Sequence, residues 1–211
     1  MIATLPMYER AETRDAHDRF WALIRDALPD APEHLTRTQD PWPLWQSYDL
    51  FFGQTCGLPY RASLHRHVQL VGTPDYGLEE CPPGYYRSVL VARADNPDKR
   101  SPSTLMEQRL AVNDPMSQSG WAVLAALAED WSLDLVSLHD MLAMPVNTRS
   151  EYSLRYRRRL GEVLLTGSHR ASARAVLERH ADIAAIDAVT WTLMKRYDDW
   201  ADALVVVYKT E

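Results

Sequence analysis

The sequence predicts an α/β fold with a largely parallel sheet, because strand-like apolar runs alternate with amphipathic helix patterns along most of its length. A second observation points the same way: polar loops join strands to helices around 54–57, 117–120 and 166–169. Such junctions lie at the carboxyl ends of parallel strands, where open α/β sheets bind their ligands. The patterns therefore predict both the fold class and the edge of the sheet that holds a site.

The first third of the chain predicts short elements joined by proline-rich loops. Phe20, Ile24 and Leu28 recur at helical spacing, and the Pro- and Asp-rich stretch 29–43 is predicted to be a connection. The predicted elements are a strand at 2–7, a helix at 13–28, a strand at 50–52, a short helix at 60–67 and a strand at 68–72.

The rest of the chain predicts a regular alternation of strands and helices. Residues 85–93 alternate as a strand does, and 96–103 is predicted to be loop. Residues 133–142 carry both strand and helix signals, and both assignments stay open. The remaining predicted elements are strands at 109–113, 163–165, 181–186 and 203–208, and helices over 121–127, 171–180 and 187–197.

Composition limits the classes of function. The 211 residues are 46% hydrophobic and 25% charged, which is ordinary for a globular protein, and the net charge of -6 argues against nucleic acid as the main partner. The arginine cluster at 155–159 is interpreted as a solvated face. No apolar run approaches the roughly 20 residues of a membrane span, and the first residues lack the pattern of a signal peptide. We therefore expect a cytoplasmic protein, or a periplasmic one whose export signal lies outside this sequence.

The two cysteines do not decide the redox compartment of the protein. Cys56 and Cys81 both lie in loop-like sequence, so a disulfide is possible if the chain is exported, while free thiols are the default in a reducing compartment. No histidine or cysteine spacing around them predicts a zinc site, and no metal or cofactor is expected.

The segment 113–120, Asn-Asp-Pro-Met-Ser-Gln-Ser-Gly, is the most informative in the chain. The Asp-Pro turn and the apolar run that follows predict a helix start with Ser119 as its N-cap. Ser117, Gln118 and Ser119 would then combine hydroxyls with unpaired amides at the positive end of a helix dipole, which favours an anion. The alternative is an ordinary helix cap.

A second such start contains Ser168 and His169. The imidazole of His169 could donate to an oxyanion, or it could simply bond a neighbouring carbonyl. Enzyme motifs fit poorly: the sequence has no Gly-x-Ser-x-Gly elbow, no Gly-Lys-Ser/Thr phosphate loop and no His-Glu-x-x-His. Cys56 is interpreted as a small wall residue, since no histidine is tied to it by sequence.

Several short blocks resemble, in order, those of one family. They are Pro6-Met7-Tyr8, Gln54 to Pro59, Gly72 to Tyr76, Tyr86-Arg87-Ser88, Ala111 to Gly120, Thr166 to Ser172 and Ala181 to Asp187. The chain resembles the phosphate/phosphonate substrate-binding proteins of ABC transporters, the PhnD-like group. The resemblance implies a two-lobed, hinge-linked type II periplasmic-binding-protein fold with the ligand cleft between the lobes.

The resemblance also implies boundaries. Lobe one would comprise 1–88 plus 187–211, and lobe two 89–186, with hinges near 86–93 and 183–187. Family members usually continue further, so we expect a C-terminal segment beyond Glu211 that packs on lobe one. The implied partners are a small anionic ligand and an ABC-transporter permease.

The expected ligand-binding residues come from the helix starts and from the resemblance, and no catalytic residue is expected. Tyr8 and Tyr86 could instead be core-edge residues, and Asp187 could cap the helix after it. The full set is Tyr8, Gln54, Thr55, Tyr86, Ser117, Gln118, Ser119, Gly120, Ser168, His169 and Asp187.

Two alternatives remain open at this point. One is a cytoplasmic ligand sensor or carrier on the same fold. The other is an enzyme resembling thiamine-pyrimidine synthesis proteins that would use His169 and Cys56. The scarcity of lysines, only Lys99, Lys195 and Lys209, argues against a Schiff base with pyridoxal phosphate.

Overall fold

The computed structural model describes residues 1–38, 40–79, 81–131, 133 and 160–210. The chain divides into two compact units, Met1–Gly72 and Thr73–Glu211. The open assignment at 133–142, apart from Leu133, and the arginine cluster at 155–159 lie outside the described residues.

The first unit is built around a two-stranded parallel sheet. Strand β1 (Ile2–Thr4) pairs with β2 (Leu50–Gly53), and helix α1 (Arg14–Arg25) packs beside them. Trp21 is the buried residue of α1: its ring lies 5.8 Å from that of Phe52, and its Nε1 donates to the Pro32 carbonyl at 3.1 Å. The core-facing residue of the helix is therefore Trp21.

Two short helices follow in this unit, α2 (Trp42–Trp45) and α3 (Gly57–Ala62). The expected helix at 60–67 thus begins earlier, and only a 3-10 turn covers 64–66. The expected strand at 68–72 is wrong. Leu70 and Val71 are 60% and 81% exposed, and neither pairs with a strand of the described chain, so this apolar run lacks the ladder partner that a strand requires.

The second unit contains a five-stranded sheet with the order β5-β4-β6-β3-β7. Its strands are β3 (Ser88–Arg93), β4 (Leu110–Val112), β5 (Val163–Leu165), β6 (Ile183–Asp187) and β7 (Leu204–Lys209). β4 runs parallel to both β5 and β6, whereas β3 runs antiparallel to its neighbours β6 and β7. Four strands therefore point one way, which confirms the expected α/β fold with a largely parallel sheet.

Helices cover both faces of this sheet. They are α4 (Pro102–Met106), α5 (Val123–Asp130), α6 (His169–Leu177) and α7 (Ala188–Tyr197). Val89 and Val91 face α6 and α7, while Leu90, between them, faces α4 and α5. The alternation along β3 gives two apolar layers, as expected for a strand buried on both sides. Helix α4 falls partly in a stretch predicted to be loop.

The two units differ from the expected lobes. β7 pairs with β3 inside the second unit, and Thr210 and Ser88 continue the ladder through a 3.0 Å bond from the Thr210 amide to the Ser88 carbonyl. β6, where a hinge was expected, is buried at every residue and lies in the middle of the sheet. Residues 187–210 thus stay with the second unit, because the apolar face of α7 packs on that sheet through Met194.

Candidate functional site

Three helices of the second unit begin at one edge of its sheet. The loop after β4 contains Ser117 and Ser119, the loop after β5 leads to His169, and Asp187 ends β6. Because β4 lies between β5 and β6 and runs parallel to both, the carboxyl ends of these strands are neighbours. Side chains far apart in sequence therefore meet here.

The helix after the serine loop begins two residues earlier than predicted. Ser117 rather than Ser119 is the N-cap, and its Oγ accepts the Gly120 amide at 3.0 Å. A π-helical turn, Gln118–Ala122, leads into α5. The expectation that Ser119 caps the helix is thus wrong, because the Asp114 turn closes earlier through a 2.6 Å bond from the Met116 amide to its carboxylate. The Ser119 hydroxyl is therefore not used as the cap and can bond other partners. Ser119 lies in the first turn, where the backbone amides have no acceptor within the helix.

Gly120 is required by a close approach of side chains. A Cβ at this position would lie 1.7 Å from Asn113 Oδ1 and 3.1 Å from His169 Cε1. Asn113 Oδ1 is buried and makes no hydrogen bond within the described residues. The absent side chain of Gly120 thus allows Asn113 and His169 to pack against the serine loop.

His169 lies at the start of α6, where Ser168 is the N-cap and accepts the Ala171 amide at 3.1 Å. Its Nδ1 lies 3.1 Å from the Ala185 carbonyl, and its Nε2 lies 2.9 Å from Ser119 Oγ. A carbonyl can only accept, so Nδ1 bears the hydrogen of the neutral ring. Nε2 then accepts the hydroxyl hydrogen of Ser119.

Asp187 completes the cluster and also caps α7. Its Oδ1 accepts the Thr190 amide at 2.8 Å, while its Oδ2 lies 3.5 Å from His169 Nε2 and has no hydrogen-bond donor among the described residues. The side chains are buried, with exposed fractions of 2% for Asp187 and 10% for His169. Burial lowers the pKa of His169 below its ordinary value, although the charge of Asp187 and the Ala185 carbonyl act in the opposite direction.

Ser88 is a site neighbour that the sequence patterns did not single out. Its buried Oγ donates to the Ser119 carbonyl at 3.0 Å, and its backbone lies opposite Asp187 in the β3–β6 ladder. Its position depends on pairing between strands nearly 100 residues apart, for which the sequence has no local signal. Ser88 fixes the position of the Ser119 backbone.

The structure brings together seven of the expected residues, all in the second unit, and leaves Tyr8, Gln54, Thr55 and Tyr86 outside this cluster. Tyr86 is half-buried two residues before β3. In the first unit, Gln54 follows β2 and its amide donates to the Thr4 carbonyl at 3.0 Å, with Thr55 next to it. Tyr8 has a left-handed backbone with φ of 68°, which is uncommon for a non-glycine residue. The residues brought together are Ser117, Gln118, Ser119, Gly120, Ser168, His169 and Asp187.

The arrangement lacks the features of a metal centre or an acyl-transfer enzyme. No group of three metal-ligating side chains occurs in the described part of the chain. In a Ser-His-Asp relay the acid orients the ring nitrogen opposite to the serine, whereas Ser119 and Asp187 face the same nitrogen of His169. Cys56, named in the enzyme alternative, belongs to the first unit and is not joined to Cys81 by a disulfide in the described chain.

Comparison with known families identifies the chain. The family model of the periplasmic substrate-binding proteins of phosphonate ABC transporters matches residues 50–211. The chain belongs to this family. Its members are substrate-binding proteins, and no curated protein matches the chain by sequence. No helix among the described residues of this family member is both long and apolar enough to cross a bilayer.

The chain of this phosphonate-binding-protein family aligns with solved structures, and one of them supports its fold. A binding-protein component of an ABC phosphonate transporter from Pseudomonas aeruginosa aligns with a TM-score of 0.60 at 15% identity, over 99% of this chain and 64% of that one. The XAC2383 protein of Xanthomonas citri, bound to chloride, aligns with a TM-score of 0.45 at 21% identity, over 60% and 41% of the two chains. The chain thus spans less than two thirds of either protein. The Pseudomonas alignment confirms the type II periplasmic-binding-protein fold.

The buried ring of His169 predicts a pH-dependent stability. Its pKa is lowered in the folded protein, so between the folded value and the ordinary value of about 6.5 the unfolded chain binds more protons. The free energy of unfolding should therefore fall as pH decreases from about 7 towards 5, by at most about 1.4 kcal/mol per pH unit from this group. In denaturant titrations, His169→Gln should lose less stability over this range than the wild type. His180→Gln, at an exposed histidine, is the control; equal pH profiles for all three proteins would contradict the prediction.

The close approach at Gly120 predicts a coupled pair of substitutions. Gly120→Ala should destabilise by about 1–3 kcal/mol through overpacking against Asn113, in spite of the better helix propensity of alanine. Adding Asn113→Ala should restore part of that loss, and a double-mutant cycle of unfolding free energies measures the coupling. Gly72→Ala is the control, because a Cβ there meets nothing within 4 Å. Additive effects at Gly120 and Asn113 would show that the two side chains do not compete for space.

Proposed function

We propose that the chain is the solute-binding component of an ABC importer and captures a small oxyanion, phosphate or a phosphonate, in the periplasm. The supporting observation is the meeting of two helix starts, at Ser117 and Ser168, around the ring of His169. Helix starts combine orphan amides with the positive end of the dipole, and two that converge favour an anion more than either alone. Family membership supports the importer role.

Each residue has a proposed part in holding the ligand. The amide of Ser119 would donate to the oxyanion, and the Ser119 hydroxyl would add a further donor. His169, when it is charged, would place a positive charge beside the ligand. Ser117 and Ser168 act through their caps, which fix the two helix starts, since each side-chain oxygen already accepts a backbone amide.

The proposed ligand class follows from the polarity of the site. Phosphate and phosphonates carry several acceptor oxygens in a tetrahedral group, which suits donors that arrive from several elements. The family model and the Pseudomonas aeruginosa structure both carry the description of phosphonate transport, which supports the same class. We propose Tyr8, Gln54, Thr55 and Tyr86 as further ligand contacts, on the family resemblance alone.

Replacing Ser119 tests the anion site directly. Ser119→Ala should weaken binding of phosphate or methylphosphonate by about 1–3 kcal/mol, because a charged acceptor loses one hydrogen bond. Calorimetric titration with both anions measures the change. Ser101→Ala, in the same unit at the start of α4, should leave the affinity unchanged. If Ser119→Ala binds as tightly as the wild type but unfolds more easily, Ser119 has a structural role alone.

Closure predicts a change of overall size on binding. Type II binding proteins close by hinge motion when ligand arrives, so the radius of gyration measured by small-angle scattering should fall at saturating methylphosphonate. The Ser119→Ala variant, measured at the same ligand concentration, should show a smaller fall that matches its lower occupancy. Measurable binding with an unchanged radius would exclude the clamp mechanism for this chain.

A further inference from the structure

The Nε2 atom of His169 faces two oxygen atoms that cannot both be satisfied by a neutral ring. Ser119 Oγ lies 2.9 Å away and Asp187 Oδ2 lies 3.5 Å away. Because Nδ1 donates to the Ala185 carbonyl, Nε2 of the neutral ring is an acceptor and takes the hydroxyl hydrogen of Ser119. Asp187 Oδ2 then faces a lone pair and has no donor within the described residues.

An oxyanion bound beside Ser119 changes this balance. Such a ligand presents acceptors, so it needs the same hydroxyl hydrogen that His169 now accepts. If Ser119 turns its hydrogen to the ligand, Nε2 loses the one donor that it has among the described residues while it stays buried next to a carboxylate. A buried acceptor left without a partner is costly, because it has lost its hydrogen bonds to water. A neutral His169 therefore opposes the binding of the anion.

One added proton removes every conflict. With Nε2 protonated, the ring can donate to Asp187 Oδ2, which lacks a donor in the described residues, and the Ser119 hydroxyl is free to donate to the ligand. Charge follows the same logic, because an anion placed near the buried Asp187 carboxylate is repelled unless a positive group lies between them. The imidazolium of His169 is located to be that group.

We propose that capture of the oxyanion is coupled to the uptake of one proton by Nε2 of His169, with Asp187 as the residue that holds the charged ring. This inference rests on the proposed function, since it concerns the same site. The proton passes from a buffer acid to the ring, and no covalent bond to the ligand forms or breaks. Asp187 is a positioning residue for this event.

The charged surroundings of the ring are simple in the described part of the chain. From β6, Asp187 is the charged group that faces the ring, and among the described residues its charge is the one that shifts the pKa of His169. From the serine loop the ring meets the neutral Ser119, and the close packing at Gly120 places the neutral Asn113 nearby. On α6 itself, Arg170 pairs with the buried Asp198 at 2.6 Å. Burial lowers the pKa of the ring and so favours its neutral form in the free protein. Nε2 is therefore able to take up a proton when the anion binds.

The first measurement follows the ring by NMR. The Cε1–H signal of His169, assigned by its loss in His169→Gln, is titrated with pH in the free protein and at saturating methylphosphonate. We expect the ring to titrate below its ordinary value when free and about two or more pH units higher in the complex. In Asp187→Asn the rise should be clearly smaller, because the amide cannot stabilise the charged ring as a carboxylate does. His180→Gln should reproduce the wild-type behaviour.

The second measurement counts protons. Calorimetric titrations with sulfate and with methylphosphonate, in two buffers of different ionisation enthalpy at a pH midway between the free and complexed titration points of the ring, give the number of protons taken up per ligand. We expect a value near one with sulfate, whose charge is fixed, and near zero in His169→Gln. Affinity of the wild type should rise about tenfold for each unit of pH decrease, with a flat profile in His169→Gln.

The outcomes separate this inference from the proposed function. If either anion binds while the ring stays neutral and no proton is taken up by the protein, the coupling is wrong and the anion site stands. If neither anion binds at any pH between about 5 and 8, the anion site itself is wrong, and the coupling is wrong with it. A proton uptake that persists in His169→Gln would assign the proton to another group and would also contradict the inference.

Discussion

The parallel pairing of β4 with β5 on one side and β6 on the other is the constraint on which the site depends. Ala111 lies opposite Leu164 and Ala184, so the three strands share one direction and end at one edge. The helix that follows each strand therefore begins at that edge. A reversal of any one strand would move its helix start to the far side of the sheet, and the 2.9 Å contact between Ser119 and His169 could not form.

A second consequence of this pairing is that polar side chains are buried without hydrogen bonds to all of their polar atoms in the described chain. Packing of α6 against β6 brings the His169 ring to the Ala185 carbonyl and beside Asp187, in a region from which solvent is largely excluded. A pair of apolar side chains of similar shape would make the fold more stable there, because a buried carboxylate oxygen without a donor lowers the free energy of unfolding. Local costs of this kind are characteristic of functional sites, where stability is lost so that a ligand or a proton can supply the missing partner.

How much of this could be predicted from the sequence depends on the range of the interactions involved. The strand–loop–helix junctions were predictable, because alternating patterns and helix-start residues are local signals. The capping residue was not, since the choice between Ser117 and Ser119 depends on the π-helical turn. The strand predicted at 68–72 is wrong because this run has no partner strand among the described residues, and hydrophobic periodicity gives no information about strand partners. Ser88 reaches the site only through the antiparallel register of β3 with β6.

The hydrogen bonds among Ser119, His169 and Asp187 also determine whether the serine can be activated as a nucleophile. In a hydrolase, a proton taken from serine by the ring is stabilised because the acid lies at the other nitrogen. Here a proton moved from Ser119 to Nε2 would leave an alkoxide and the Asp187 carboxylate on the same side of the ring, two negative groups in a buried region. This geometry therefore opposes activation of Ser119 as a nucleophile, whereas it is compatible with the proposed uptake of a proton together with an anion. This arrangement of serine, histidine and aspartate differs from that of a serine hydrolase, in agreement with a family of substrate-binding proteins.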